Sequence, residues 1–215
     1  MKVGIIGSGP VGRVLGSAFL LEGYQVQLGT RNTSKNEVVQ WKKENSKGQT
    51  GSFAETAQFG EILVLATNGL ATLDVIRLAG LENFAGKIVI DTTNLIAAAP
   101  PENGVLKFFT NLDESLMERI QKLIPTAQMV KAFNSVGNAQ MYKPMFKTGK
   151  PTMFICGNND AARKKVTEIL TAFGWDTEDM GKAEAARAIE PLCMLWCIPG
   201  FLRNEWTHAF KLLKS

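Results

Sequence analysis

The sequence lacks several features that would assign it to a common class of protein. Its 215 residues include three cysteines and one histidine, too few for a disulfide framework. No run of 18 or more apolar residues occurs, so a transmembrane helix is not expected. The apolar stretch after Lys2 stops at Gly7 and is too short for the core of a signal peptide. We therefore expect a cytoplasmic protein with no membrane partner.

The cysteine spacing offers little for metal chemistry. Cys193 and Cys197 are four residues apart and would share one face of a helix, so a metal pair is conceivable there. No second pair of ligands accompanies them, and the single histidine is His208. The alternative is that the thiols are buried as small apolar groups, and on this basis no metal site is predicted.

The excess of cations does not indicate nucleic acid. The formal net charge is +4 and the isoelectric point is about 9.0. The basic residues are scattered, with a denser group only between Arg31 and Lys47. One phosphate site and one solvated helix would account for that group. Since no nucleic-acid motif accompanies the charge, no nucleic-acid partner is expected.

The common catalytic sets are also missing. The sequence shows no Ser-His-Asp or Cys-His arrangement and no Lys-Tyr pair of the short-chain reductase kind. His208 in WTHAF is interpreted as a helix-surface or core residue. No catalytic residue is therefore predicted.

What is present is an alternation of short apolar runs with helical patterns. Such alternation indicates an α/β fold of the Rossmann type, with a doubly wound, mostly parallel sheet and a small C-terminal helical cap. We expect a nucleotide-binding unit over residues 1–182 and a helical segment over 183–215 packed on it as one structural domain. The helical segment should be interrupted around Pro199-Gly200. Predicted strands are residues 2–6, 25–28, 51–54, 61–66, 87–91, 129–132, 152–156 and 175–178; predicted helices are 10–22, 34–45, 70–79, 115–124 and 161–173.

A glycine-rich turn lies between the first strand and the first helix. The string GSGPVG fits the GxGxxG pattern and has the strand–turn–helix context that the pattern requires. Glycines permit the tight turn, the approach of a pyrophosphate and close helix–sheet packing, and the helix start offers free N–H groups to the anion. The predicted cofactor-binding residues here are Gly7, Ser8, Gly9, Pro10, Val11 and Gly12.

The end of the second strand selects the dinucleotide. NAD-binding folds usually place Asp or Glu there to bind the ribose 2′-hydroxyl, but GTRNTSK has no carboxylate before Glu37. Hydroxyl, guanidinium and ammonium groups would instead hold a 2′-phosphate. The sequence therefore predicts NADP(H), with Arg31 also placed over the adenine. The predicted contacts are Thr30, Arg31, Asn32, Ser34 and Lys35.

Three later strands also end in polar or small residues. Ligands of doubly wound sheets bind outside the carboxyl ends of the strands. The first group should contact adenosine or pyrophosphate, and the other two should flank the nicotinamide. For Thr93, Asn94 and Asn134 the alternative is a loop-capping role. The predicted contacts are Ala66, Thr67 and Asn68, then Thr93 and Asn94, then Asn134, Val136 and Gly137.

With these motifs the chain resembles the NADP oxidoreductases that use coenzyme F420, and also the oxidoreductase domain of the STEAP metalloreductases. The resemblance is carried by KVGIIGSGPVGRVLG, GTRN, EILVLAT, DTTN, VKAFNSVG and AARAIEPLCMLWCIPGF. It implies hydride transfer between NADP(H) and a deazaflavin or flavin-like acceptor, with catalysis chiefly by positioning. Two departures leave the acceptor open: the family's longer GGTGxxG turn is absent, and residues 96–109 are peculiar to this chain.

Other interpretations of the acceptor side remain. Met141, Met194, Trp196 and Phe201 are candidates for an apolar acceptor wall or for core packing. A carbonyl or imine reductase would need a proton donor, for which Lys131 or Asn134 are the available groups. A noncatalytic NADP(H) sensor would have the acceptor pocket filled. The resemblance also implies a homodimer, with residues 192–202 as the contact surface.

Overall fold

A six-stranded parallel sheet forms the centre of the molecule. The computed structural model describes residues 1–214, and the strand order β3-β2-β1-β4-β5-β6 is that of a Rossmann fold, as the sequence predicts. Every neighbouring pair is parallel, so the carboxyl ends of all six strands lie at one edge. The strands are β1 (Lys2–Ile6), β2 (Gln25–Gly29), β3 (Gln49–Gly51), β4 (Ile62–Leu65), β5 (Ile88–Asp91) and β6 (Gln128–Lys131).

Helices cover both faces of the sheet and bury two apolar clusters. Pro10 begins the first helix, where its fixed φ suits the first turn. The helices are α1 (Pro10–Leu21), α2 (Asn36–Glu44), α3 (Phe53–Phe59), α4 (Thr72–Ala79), α5 (Leu116–Leu123), α6 (Asp160–Ala172), α7 (Ala186–Ile189) and α8 (Leu192–Arg203).

The third strand and the segment after it differ from the prediction. A strand over residues 51–54 is wrong, because β3 ends at Gly51 and α3 begins two residues later. The reason is a capping box. The Ser52 side chain accepts from the Glu55 backbone N–H, and the Glu55 carboxylate accepts from the Ser52 N–H. Two N–H groups at the helix start are thereby satisfied, which favours a helix here.

The last two strands form a sheet of their own. β7 (Thr152–Ile155) and β8 (Asp176–Asp179) pair in parallel. One antiparallel bridge between Lys131 and Cys156 joins this pair to the end of β6. The polar ends of β6 and the second sheet therefore meet at the same edge as the other strand ends.

The C-terminal segment is interrupted at a different proline from the one predicted. α8 continues through Pro199 to Arg203, and the break falls at Glu190-Pro191, between α7 and α8. Pro191 suits the start of a helix, whereas Glu190 turns inwards to a buried lysine. Residues 204–214, predicted as helical, form neither helix nor strand. They run back along β7, where the Thr152 N–H donates to the Phe210 oxygen at 2.8 Å.

The segment that contains α7 and α8 resembles a membrane span in its length and composition. Ala183–Arg203 spans 21 residues with a mean hydropathy of 1.3, so by length and composition it could cross a membrane. Core helices pass the same test. Here Glu190 in the middle of the segment forms an ion pair with Lys131 inside the protein.

Candidate functional site

The glycine turn has the geometry of a ligand cradle. Gly7 has φ +127°, and a Cβ there would collide with the Ala66 carbonyl. A Cβ at Gly12 would collide with the Gly7 carbonyl, so this glycine allows α1 to approach β1. A Cβ at Gly9 would meet no atom of residues 1–214 within 4 Å. The protein itself does not require glycine at Gly9, and its missing side chain leaves open space where a pyrophosphate would approach.

The end of β2 supplies the cationic part of the site. Thr30 is buried and accepts from the Ser8 hydroxyl at 3.0 Å, which ties the β2 end to the glycine turn. Arg31 and Lys35 are exposed and line a cavity of about 340 Å³. The same cavity has one carboxylate, Asp74, whose charge is paired with Arg77 at 2.7 Å. These groups fit a 2′-phosphate better than a free ribose hydroxyl.

A second cavity continues the first along the strand ends. It measures about 380 Å³ and is reached across Gly9, Ala66, Thr67 and Asn68, which line both cavities. The two together form one groove over the carboxyl edge of the sheet, from the β2 end to the β5 end. Gly9, Pro10, Val11, Ala66, Thr67, Asn68, Gly69, Thr92, Thr93, Asn94 and Ile96 line this second part.

Several predicted contacts lie outside the lining of the groove. Asn32 and Ser34 form an exposed turn beside Arg31, in which the Ser34 N–H donates to Asn32 Oδ1 at 2.9 Å. Val136 belongs to the apolar core, and Gly137 lies against the Trp196 ring. Three other cavities are larger than either part of the groove: one of about 580 Å³ between α1 and α2, one of about 400 Å³ beside β7 and β8, and one of about 600 Å³ over residues 143–150. We favour the groove because it combines the glycine turn with the strand ends.

A buried triad of charged side chains lies beneath the end of the groove that is formed by the β5 end. Lys131 Nζ is 3.0 Å from Asp91 Oδ2 and 2.8 Å from Glu190 Oε1, and all three side chains are 0% exposed. Burial lowers the pKa of the Lys131 ammonium, but the Asp91 and Glu190 carboxylates outweigh burial and raise that pKa to about 12. Lys131 is therefore a permanent cation that ties β5 and β6 to the C-terminal segment.

The triad also shapes the loop that lines the groove. Lys131 Nζ donates to the backbone oxygen of Thr93 at 2.6 Å. Asp91 Oδ1 accepts from the backbone N–H of Thr93 at 2.9 Å and from its hydroxyl at 2.6 Å. Glu190 accepts from the N–H groups of Leu116 and Met117 at the start of α5. The Thr93 hydroxyl is thus used inside the protein, in agreement with the loop-capping alternative. The triad was not predicted from the sequence, where its signal is a charged residue ending each of two apolar strands.

The turn after β6 is held in an unusual conformation. Phe133 has φ +64° although it is a buried aromatic residue, and such a residue adopts this region only when its surroundings enforce it. Asn134 follows at 2% exposure, and its Nδ2 donates to the Ile189 oxygen at 2.9 Å. The KAFN segment is therefore fixed by contacts with the C-terminal segment.

The residues predicted as an apolar acceptor wall are used mainly for packing. Met141 is in the core, and Trp196 is stacked on His208 with 5.0 Å between ring centroids. Phe201 packs edge-on against Trp206. Within residues 1–214 none of the four candidates, Met194 included, lines the groove. From the stretch 96–109, Ile96 contributes to the lining.

The cysteines behave as apolar groups. Cys156 and Cys193 are buried, and Cys197 is partly buried. Burial raises the pKa of the Cys156 thiol to about 12, and hydrogen bonding to Cys197 followed by burial raises that of Cys193. Over the described chain, residues 1–214, no group of three or more His, Cys, Asp or Glu side chains could hold a metal ion.

The sequence is similar to those of two mammalian metalloreductases. The chain is 30% identical to rat metalloreductase STEAP3 (Rattus norvegicus) over 205 residues, which is 94% of this chain and 39% of the relative. It is 27% identical to human metalloreductase STEAP2 (Homo sapiens) over 192 residues, which is 89% of this chain and 36% of the relative. The chain thus spans less than two fifths of the length of these relatives.

Two solved structures share the fold over all or nearly all of the chain. The crystal structure of a proposed F420-dependent NADP reductase from Arthrobacter sp. FB24 superposes with a TM-score of 0.92 at 29% identity, covering 100% of both chains. An imine reductase from Streptomyces aurantiacus superposes with a TM-score of 0.65 at 18% identity, covering 94% of this chain and 63% of that one. The second likeness concerns the fold alone.

The family model described as "NADP oxidoreductase coenzyme F420-dependent" matches residues 2–95, which contain the glycine turn, the β2 end and the β5 end. The residues that predict an NADP(H) site at the glycine turn and the β2 end lie in this region. The match and the relatives confirm the resemblance seen in the sequence. Residues 2–95, somewhat less than half of the chain, therefore match the family of coenzyme F420-dependent NADP oxidoreductases.

Proposed function

We propose that this protein is an oxidoreductase that transfers hydride between NADP(H) and a deazaflavin, such as coenzyme F420, or a flavin-like acceptor. The observation that carries the proposal is the continuous groove from Arg31 and Lys35, across the glycine turn, to Asn94. Its cationic end suits a 2′-phosphate, and its middle suits a pyrophosphate. NADPH, when bound, supplies the hydride from its nicotinamide ring.

The chain's own residues act by binding and alignment. Thr30, Arg31 and Lys35 hold the phosphorylated ribose end, and the backbone N–H groups at the start of α1 face the pyrophosphate. The Asp91–Lys131 pair fixes the loop after β5 against the other end of the groove. Hydride transfer between two flat rings needs no protein acid or base, so rigid alignment is the main contribution.

The carbonyl or imine reductase alternative has weaker support. Its proton donor would be Lys131 or Asn134. Lys131 is fully buried, binds two carboxylates and the Thr93 oxygen, and keeps its proton with a pKa of about 12. Asn134 is also buried, and its Nδ2 is held by Ile189. Neither group is placed to deliver a proton to a substrate.

An acceptor screen tests the proposed reaction. NADPH oxidation is followed by absorbance with the deazaflavin F420, FMN, FAD and ferric chelates in separate reactions. We expect turnover with at least one deazaflavin or flavin. A cyclic imine and an α-keto acid serve as the contrasting substrates. Turnover of these alone would contradict the proposal, and NADPH binding without turnover of any acceptor would favour a sensor.

The variant tested in this screen is Arg31→Ala, and its matched control is Lys47→Ala. Both remove an exposed cation from the same basic segment, but only Arg31 lines the groove. The Arg31 variant should raise the KM for NADPH while leaving the order of acceptors unchanged. The Lys47 variant should leave both unchanged.

A further inference from the structure

The side chain of Arg13 holds the backbone of the glycine turn from outside the groove. Its Nη1 donates to the Ser8 backbone oxygen at 2.8 Å. Arg13 lines the cavity between α1 and α2, whereas Ser8 and Gly9 line the groove. The guanidinium therefore contacts the turn without taking part in the lining of the groove.

This contact is an uncommon use of an arginine side chain. The planar guanidinium is best suited to carboxylates and phosphates, which it binds with two parallel hydrogen bonds. Arg13 is partly buried, and its Nη1 is directed at a neutral carbonyl although Glu37 and Glu44 line the same cavity. The arrangement therefore points to a role in the conformation of the turn.

The contact with Arg13 fixes the orientation of one peptide group. Residues 1–214 contain no cis peptide bond, and in a trans peptide the C=O and the following N–H point in opposite directions. Because Arg13 holds the Ser8 C=O, the Gly9 N–H points away from Arg13. Gly9 lines both parts of the groove, and its N–H donates to no backbone oxygen in the part of the chain that the structure describes. This N–H is therefore available to a ligand.

Glycine at this position leaves the peptide group with little restraint of its own. Gly9 has φ −69°, but glycine adopts positive φ about as readily as negative φ, so a rotated Ser8–Gly9 peptide is accessible to it. The Ser8 hydroxyl donates to Thr30 Oγ1 at 3.0 Å, which holds the Ser8 side chain and not the plane of the peptide. The glycine that leaves space for a pyrophosphate thus makes the peptide free to rotate, and Arg13 opposes that rotation.

We infer that Arg13 is a positioning residue for NADP(H), which holds the Ser8 carbonyl and thereby aims the Gly9 N–H at the pyrophosphate. The inference rests on the proposed function, which assigns the pyrophosphate to the glycine turn. Arg13 acts through the turn and does not touch the dinucleotide. Its contribution is preorganisation: the donor is oriented before the ligand arrives, so that binding does not have to order it.

The test compares two ligands, of which only one has a pyrophosphate. Calorimetry measures the affinity for NADP⁺ and for 2′-AMP, which carries the 2′-phosphate alone. Arg13→Met should weaken NADP⁺ about 10-fold, as expected when one charge-assisted hydrogen bond is no longer preorganised. The affinity for 2′-AMP should stay as in the wild type, and its binding also shows that the variant is folded.

Lys43→Met is the matched control. It removes an exposed cation of α2 that lines neither the groove nor the cavity beside Arg13, so both affinities should stay unchanged. If Arg13→Met weakens NADP⁺ and 2′-AMP by the same factor, the guanidinium acts through its charge or through the stability of the fold, and the inference is overturned. An unchanged affinity of Arg13→Met for NADP⁺ would overturn it as well.

Nuclear magnetic resonance follows the Gly9 donor directly. In the wild type the Gly9 amide proton should move downfield on saturation with NADP⁺ but not with 2′-AMP, and Arg13→Met should reduce the shift that NADP⁺ induces. A wild-type Gly9 amide that does not respond to NADP⁺ would overturn the inference without any variant.

The same ligands separate this inference from the proposed function. If the wild type binds neither NADP⁺ nor 2′-AMP, the proposed function fails, and the inference falls with it. If the wild type binds both and Arg13→Met leaves the ratio of the two affinities unchanged, the inference alone is overturned.

Discussion

The buried triad makes a sharp prediction for Lys131→Met. The substitution keeps most of the side-chain volume but leaves Asp91 and Glu190 as two fully buried carboxylates without their cation. Breaking a buried ion pair by removing one partner typically costs about 3–5 kcal/mol. The lower end is expected here, because Glu190 keeps its bonds to the Leu116 and Met117 N–H groups.

Urea unfolding followed by circular dichroism measures this cost. With a slope of about 2 kcal/mol per molar urea, a loss of about 3 kcal/mol lowers the midpoint by about 1.5 M. The triple variant Asp91→Asn, Lys131→Met, Glu190→Gln should regain more than half of the loss, because no buried charge remains. A deficit below about 1 kcal/mol for Lys131→Met at neutral pH, or a triple variant that regains none of the loss, would refute this account of the triad.

Further predictions concern the glycine turn, an interhelical ion pair and the exposed face of α8. Gly9→Ala should keep the unfolding midpoint, because the new Cβ meets no atom of residues 1–214 within 4 Å. The same Cβ would occupy the space in which the pyrophosphate of NADPH binds, so the affinity for NADPH measured by calorimetry should fall at least 10-fold. Unchanged binding would contradict this. The Arg187 guanidinium lowers the pKa of Glu118 to about 2. The stabilisation from this ion pair should therefore be complete above about pH 5 and be lost as the pH falls towards 2. The stability of Glu118→Gln, followed during acid titration, should lack this loss, and titration curves identical to those of the wild type would exclude it. We also propose that α8 forms a homodimer contact, because Leu195 and Phe201 are 55% and 44% exposed; Leu195→Lys should convert a dimer into a monomer in light scattering, and a wild-type monomer at micromolar concentration would rule the contact out.

The sequence was sufficient for the part of the fold that is built from local signals. KVGII followed by GSGPVG predicts β1, the glycine turn and α1, and the structure has all three there. The absence of a carboxylate at the β2 end is likewise visible without coordinates. These features are recognisable because a few neighbouring residues determine both the backbone conformation and the chemistry.

Features that depend on distant residues were missed. The triad joins residues 91, 131 and 190, and its carboxylates and ammonium are unexceptional when read one at a time. The break at Glu190-Pro191 has a local signal in Pro191, which suits a helix start, whereas the sequence prediction placed the interruption at Pro199. α3 is a different case, because the local sequence SFAE carries the capping-box signature of a helix start, and the predicted strand over residues 51–54 overlooks it.

The central claim, an NADP(H) site formed by the glycine turn and the β2 end, is tested most directly by calorimetric titration with NADPH and with NADH. The wild type should prefer NADPH, and Arg31→Ala should reduce that preference about 10- to 100-fold, as expected for a charge-assisted bond to the 2′-phosphate. Lys47→Ala, which removes a nearby cation outside the groove, should leave the preference unchanged. Equal binding of NADPH and NADH by the wild type, or a preference that survives Arg31→Ala, would contradict the account.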